Sequence, residues 1–196
     1  MSAEPFRHVG MLRETALAAA PPLSTPSSSS VPDLAGILRE RVAGHGRVLT
    51  RLRPGAEPVV DHILVWPAGI DVVQVRPVIG RVGLHAARSR VGRSLYVGGD
   101  DRTAWLADLD GTVAEVRDQL GRSPLARLRR GWLCLDGADW HEVPAGFRLA
   151  GYPVLPPALL GASLPDASTF GTAHVAVAAE RLANALGIVS GPPPAR

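Results

Sequence analysis

Asp61 lies in the apolar run Val59-Val60-Asp61-His62-Ile63-Leu64-Val65-Trp66, and Gln74 and Arg76 lie in the next one, Ile70-Asp71-Val72-Val73-Gln74-Val75-Arg76. A carboxylate and an amide carbonyl both offer the oxygen ligands that Mg²⁺ takes, and an ion so held polarises a phosphate ester and lowers the pKa of an attacking water. Arg76 adds a permanent positive charge whose planar fork suits a phosphate but which cannot accept a proton at neutral pH. This is the outline of a metal-assisted hydrolytic site, with two features against it. Gln74 carries no formal negative charge, and the 196-residue chain contains no lysine, all 21 of its basic residues being Arg.

Both runs are rich in Val and Ile, and Pro67 and Gly69 suit the second and fourth positions of a type I turn, so a β-hairpin is expected to carry the three residues. Strand alternation puts Gln74 and Arg76 on one face. Their partner depends on register: Trp66 opposite Gly69 sets Asp61 against Gln74, whereas Trp66 opposite Ile70 sets it against Val75. Before the hairpin, Asp33 can cap a helix bearing Leu34, Ile37, Leu38, Arg41 and Val42, and Arg47 to Leu52 alternates as a strand. After it come short extended pieces to Tyr96-Val97, then a helix with Trp105, Leu109, Val113, Val116 and Leu120 at helical intervals. A strand at Trp132 to Leu135, a small hairpin at Gly146 to Leu155 and a helix at Val175 to Leu186 complete the pattern. The order implies an α/β (α+β) fold, a mixed sheet flanked by helices. Residues 1–31 read as a flexible tail ending in Ser27-Ser28-Ser29-Ser30, 32–186 as one domain, and 187–196 as a disordered tail.

Apolar residues at 46% and charged residues at 20% are a globular balance, and 18 Pro with 21 Gly imply many turns. The net charge of +3 permits contact with nucleic acid without demanding it. The lone cysteine, Cys134, sits in an apolar strand and cannot pair within the chain, which favours the cytoplasm. No stretch approaches the ~20 apolar residues of a membrane span, and Thr15 to Ala20, preceded by Glu4, Arg13 and Glu14, makes a poor secretion signal.

Asp61-His62-Ile63-Leu64-Val65, Pro67-Ala68-Gly69-Ile70 and Gly80-Arg81-Val82 resemble the Asp-His, turn and Gly-Arg pattern of the nuclease-related (NERD) domain, a branch of the restriction-endonuclease-like PD-(D/E)XK superfamily. Leu95-Tyr96-Val97-Gly98-Gly99 with Arg102-Thr103, Arg130-Gly131-Trp132-Leu133-Cys134 and Asp139-Trp140 are similar too, so the resemblance runs from about Asp33 to Leu164. It implies a restriction-endonuclease-like mixed sheet, Mg²⁺ as cofactor and DNA as partner. Asp61 matches a catalytic, metal-holding position, Gln74 falls on the second acidic position, Arg76 on the lysine, and Asp33, or alternatively Glu40, on the acid of the opening helix. Losing a lysine-type donor costs on the order of 10²–10³ in rate, by analogy with oxyanion donors. The expectation is a catalytically impaired nuclease-related domain, a pseudo-nuclease retaining nucleic-acid or partner binding; the alternative is a weak Mg²⁺-dependent DNA endonuclease. The bland reading makes Asp61 a polar strand residue with Arg76 as its ion-pair partner.

Asp108-Leu109-Asp110-Gly111-Thr112-Val113 copies the first motif of haloacid-dehalogenase-type phosphatases, where the first Asp attacks phosphorus. That motif needs a strand before it and a loop after it, whereas helical spacing continues straight through this one. Arg76, Arg81, Arg88, Arg90 and Arg93 form the densest basic segment and are the candidate phosphate contacts. The six histidines lack zinc-site spacing, and His62 is expected to be structural because it faces away from Asp61.

Overall fold

A computed structural model describes residues 34–55, 57–86, 92–127, 129–164 and 171–188. The fold is α+β, an eight-stranded mixed sheet flanked by four helices. In chain order these are α1 (Leu34–Arg41), β1 (Arg47–Arg53), β2 (Val59–Trp66), β3 (Gly69–Ala86), β4 (Arg93–Val97), β5 (Asp100–Asp101), α2 (Ala104–Leu120), β6 (Arg129–Asp139), β7 (Phe147–Leu149), β8 (Tyr152–Leu155), α3 (Pro157–Ser163) and α4 (Thr172–Ala185). The main path runs β1-β2-β3-β6-β8-β7, with β4 on the far half of β3 and β5 on β4. The expected tail at 1–31, residues 189–196 of the tail expected at 187–196, and Asp33 lie outside the described residues.

The sheet is covered on both sides because its central strands are apolar on both sides. On one face Ile63, Val65, Ile70, Val72, Leu133 and Leu135 meet α2 and α4. On the other, Leu64, Trp66, Val73, Val75 and Cys134 meet Leu34 and Leu38 of α1, Val42 just after it, and Leu160 of α3. Within α2 the expected stripe is the buried one, with Leu109, Val116 and Leu120 at 0% exposure. Burying each such side chain contributes ~1.5–3 kcal/mol, enough to hold the helix in one rotational setting.

Two local features fix the strands that matter here. Trp66 pairs with Gly69, leaving a two-residue loop of Pro67 and Ala68. Further along, β3 continues well past the expected end at Arg76 rather than breaking into short pieces. It does so through a shift in its pairing with β6 between Pro77 and Gly80, where a proline cannot donate to the ladder. Gly80 has φ +119°, and a Cβ there would lie 2.6 Å from Gly98 Cα, so only glycine lets β3 pass this close to the turn that follows β4. The final helix ends in a paired cap: Ile188 N–H bonds Ala183 O at 2.8 Å and Gly187 N–H bonds Asn184 O at 3.4 Å, with Gly187 at φ +63°. Gly187 and Ile188 therefore belong to the end of this helix.

Candidate functional site

Of the two registers open to the hairpin, the one found sets Asp61 opposite Gln74. On its other edge β2 pairs with β1, placing Arg51 opposite Asp61 and Arg53 one alternate position along the same face. The helix α2 lies over this face and contributes Asp108 and Glu115, which recur after two turns and so share a side. Seven polar side chains therefore meet on one side of the sheet at the end of its core.

Asp61 is fully buried. Its Oδ2 accepts from Arg51 Nε and Nη2 at 3.3 and 3.2 Å and from Arg53 Nε at 2.8 Å; Oδ1 accepts from Arg53 Nη2 at 3.2 Å. Gln74 Nε2 donates to Oδ1 at 3.5 Å, while its carbonyl oxygen accepts from Arg76 Nε and Nη2 at 3.2 and 3.1 Å. Arg76 also donates to Asp108, which receives both Nη groups of Arg53 at 2.9 and 3.0 Å. Arg51 donates to Glu115 at 3.1 and 3.0 Å. The Trp105 ring lies against Arg76, 5.2 Å from guanidinium carbon to ring centroid.

Three guanidiniums and three carboxylates cancel, and the neutral amide of Gln74 links the two signs. An amide suits that place because one end donates and the other accepts. A carboxylate at position 74 would instead set lone pairs against those of Asp61. The same geometry answers whether Mg²⁺ fits. Guanidinium donors occupy both oxygens of Asp61, the Gln74 carbonyl points to Arg76, and the carboxylates of Asp108 and Glu115 are taken up by Arg53, Arg76 and Arg51. As arranged, this donor set does not fit the ion. Among the described residues no group of three or more His, Cys, Asp or Glu is placed to hold a metal.

Several expected residues sit elsewhere. Glu40 is exposed on α1, whose buried side packs on the opposite face of the sheet from Asp61; the acids that face Asp61 come from α2 instead. Arg76 is not Asp61's direct partner: at 6% exposure it packs against Trp105 and its donors go to Gln74 and Asp108. Arg81 is exposed and lies 3.6 Å from Asp139 and 2.9 Å from Glu142, and Arg93 is exposed at the far end of β4. Arg88 and Arg90 lie outside the described residues. His62 is on the face away from Asp61, its Nδ1 3.0 Å from Thr50 Oγ1. The phosphatase motif is wholly helical, so Asp108 and Asp110 diverge: the first meets Arg53 and Arg76, the second accepts from the Tyr152 hydroxyl.

Sequence reasoning passed over a second buried carboxylate. Asp71, at 0% exposure, faces the other side of the sheet and accepts from the indole N–H of Trp66 and of Trp132, each at 2.7 Å. Arg130 clamps the same carboxylate through Nε at 2.7 Å and Nη2 at 2.9 Å. The signal available was the presence of two tryptophans near the ends of strands that also carry an acid and an arginine.

Charge coupling shifts the groups in opposite senses. Hydrogen bonding to Arg53, aided by the charges of Arg53 and Arg76, holds the Asp108 carboxyl below its ordinary range. The bond to Asp108 in turn raises Arg53, while burial lowers Arg76. For an acid whose pKa is depressed on folding, the stabilisation is present above the unfolded value and is lost as pH falls through the folded one. Thermal melts from pH 7 to pH 3 are expected to show a falling midpoint at the acid end, and Asp108→Asn is expected to flatten that part of the profile. An unchanged slope in the variant would remove Asp108 from the network's energetics.

No protein-family model, curated protein sequence or solved structure matches the chain. Among the described residues, no helix is long and apolar enough to cross a membrane.

Proposed function

We propose that the chain is a nuclease-related domain in which an internal ion-pair network stands where a restriction-endonuclease-like enzyme holds its metal, leaving a cytoplasmic scaffold that binds DNA without cutting it. The observation that carries this reading is the saturation of Asp61 by Arg51 and Arg53, together with the turn of the Gln74 carbonyl toward Arg76. Metal-assisted hydrolysis needs free carboxylate oxygens to hold the ion and an activated water beside it. Here the positive charge that balances Asp61 is supplied by side chains that cannot activate water. The exposed Arg81 and Arg93 of the β3–β4 hairpin supply the phosphate contacts in this reading. The buried thiol of Cys134, its pKa pushed up to about 12 by burial, is an inert packing residue with no part in this chemistry.

Two measurements test it. Plasmid incubated with the full chain and Mg²⁺ or Mn²⁺ is expected to stay intact, and cleavage that disappears in Asp61→Asn would overturn the loss of catalysis. Affinity for duplex DNA is expected to fall steeply with salt, because each neutralised phosphate releases counterions, and Arg93→Ala should make that slope shallower by about 1. Binding that ignores salt, or its absence, would point to a protein partner instead.

A further inference from the structure

We infer that an apolar groove along α4 binds a medium-chain fatty acid, with its alkyl chain against the helix and its carboxylate on Arg122 and Arg181. The groove exists because α4 is built from small residues. Its buried stripe, Val175, Ala178, Ala179 and Leu182, closes on the core, but Ala173 and Ala178 do not fill the space between the helix and the turn that follows α2. What remains is an open cleft of about 430 Å³, walled by Leu120, Pro124, Ala173, Val177 and Ala178. Leu120 and Ala178 are buried beneath it, whereas Val177 on its flank is 70% exposed. A single exposed valine is ordinary, but one that borders a groove of matching character is apolar surface for a ligand to cover.

The charges along this cleft have one sign. Arg122 and Arg181 line it, and no acidic residue does among the described residues. Neither arginine forms a hydrogen bond or ion pair there, so no carboxylate has to be counted against them. Asp118, four residues before Arg122, is taken by Arg117 Nε at 2.7 Å, and Glu180, which precedes Arg181, is not in the wall. The two arginines also meet at one end. A Cβ built on Gly121 would lie 3.6 Å from Arg181 Nη2, which puts that guanidinium beside the residue preceding Arg122. The carbonyl end of α2 offers it a partial charge of about −0.5, which leaves the pair well over one unit positive, enough for one carboxylate.

The rest of the wall decides the body of the ligand. Ser123 and His174 are its only other polar side chains among the described residues, and it holds no Phe, Tyr or Trp ring on which a base could stack. A sugar, a base or a peptide seated there would leave donors and acceptors unmatched, whereas an alkyl chain has none to satisfy. From His174 to Arg181 is about two turns of helix, roughly 10 Å along the axis, the reach of a medium alkyl chain.

The groove shares no residue with the Asp61 network or the β3–β4 hairpin, so its test stands apart from the reading of either. That test is calorimetric titration of the full chain with decanoate, octanoate and decylammonium. Saturable one-to-one binding of decanoate is expected, about fivefold tighter than octanoate because two more methylenes leave water, with none for decylammonium. Arg122→Gln combined with Arg181→Gln is expected to weaken decanoate about tenfold, and Val177→Glu, which sets a carboxylate in the groove from an exposed position, to abolish its binding. No saturable binding of decanoate, equal binding of decylammonium, or an affinity unmoved in both variants would overturn the site. Tighter binding of acetyl-trileucine, an apolar peptide ending in the same carboxylate, would overturn the choice of a fatty acid in favour of a protein C-terminus.

Discussion

Asp71→Ala is expected to lower the unfolding free energy by about 3–5 kcal/mol, a large share of what a domain of this size has. The loss has two parts. Two buried indole N–H groups, on Trp66 and Trp132, would face a hole with no acceptor, at a cost of ~1–3 kcal/mol each. Arg130 would lose its bidentate anchor, but its side chain is 34% exposed and water would recover part of that cost. Asp71→Asn keeps the volume and still fails, because the amide nitrogen turns N–H groups toward donors; a cost near that of alanine is expected. Urea unfolding followed by tryptophan fluorescence measures both. A cost below about 1 kcal/mol for either would mean that the indoles find other partners and that Asp71 holds little together.

How far the chain could be read without its structure follows from what each pattern encodes. Pattern placed α2 and the β2–β3 hairpin well because burial on one or two sides writes itself into the sequence: Leu109, Val113, Val116 and Leu120 recur at helical intervals, and two short Val- and Ile-rich runs flank a turn. Register was open, since apolar residues occupy both faces of β2 and a slip by one would still bury Val and Ile. Only the two-residue loop at Pro67 and Ala68 decides it. The short α3 went unforeseen, although Pro157 at its first turn is a recognised start. At the site, Asp61, Gln74 and Arg76 were identified and do gather, but Arg51, Arg53 and Glu115 were missed. Their clues were real: Arg51 and Arg53 alternate on one face of β1, and Asp108 and Glu115 lie two turns apart on α2. What a sequence does not state is that β1 and α2 bring those faces to the same carboxylate. That depends on strand order and helix docking, which are tertiary facts.

Asp61→Ala separates an ion-pair network from a metal site by the sign of its effect on stability. A metal site without its ion gathers carboxylates that repel each other, so deleting one relieves repulsion and stabilises the fold. In the network, deletion leaves two guanidiniums short of a buried acceptor, and a loss of about 2–4 kcal/mol is expected. That figure sits below the usual cost of breaking a buried pair for a structural reason. Arg51 and Arg53 keep Glu115 and Asp108, and their side chains are 18% and 30% exposed. Arg53→Met is expected to destabilise as well, and in combination with Asp61→Ala the two should couple by about 1–3 kcal/mol, since each single change already removes their shared contact. Millimolar Mg²⁺ provides the complementary readout: an ion that binds only the folded chain raises its melting temperature by mass action. No rise is expected in the wild type, because guanidiniums already hold the oxygens the ion would need. A stabilised Asp61→Ala variant, or a melting temperature that climbs with Mg²⁺ and stops climbing in that variant, would return the pocket to metal chemistry.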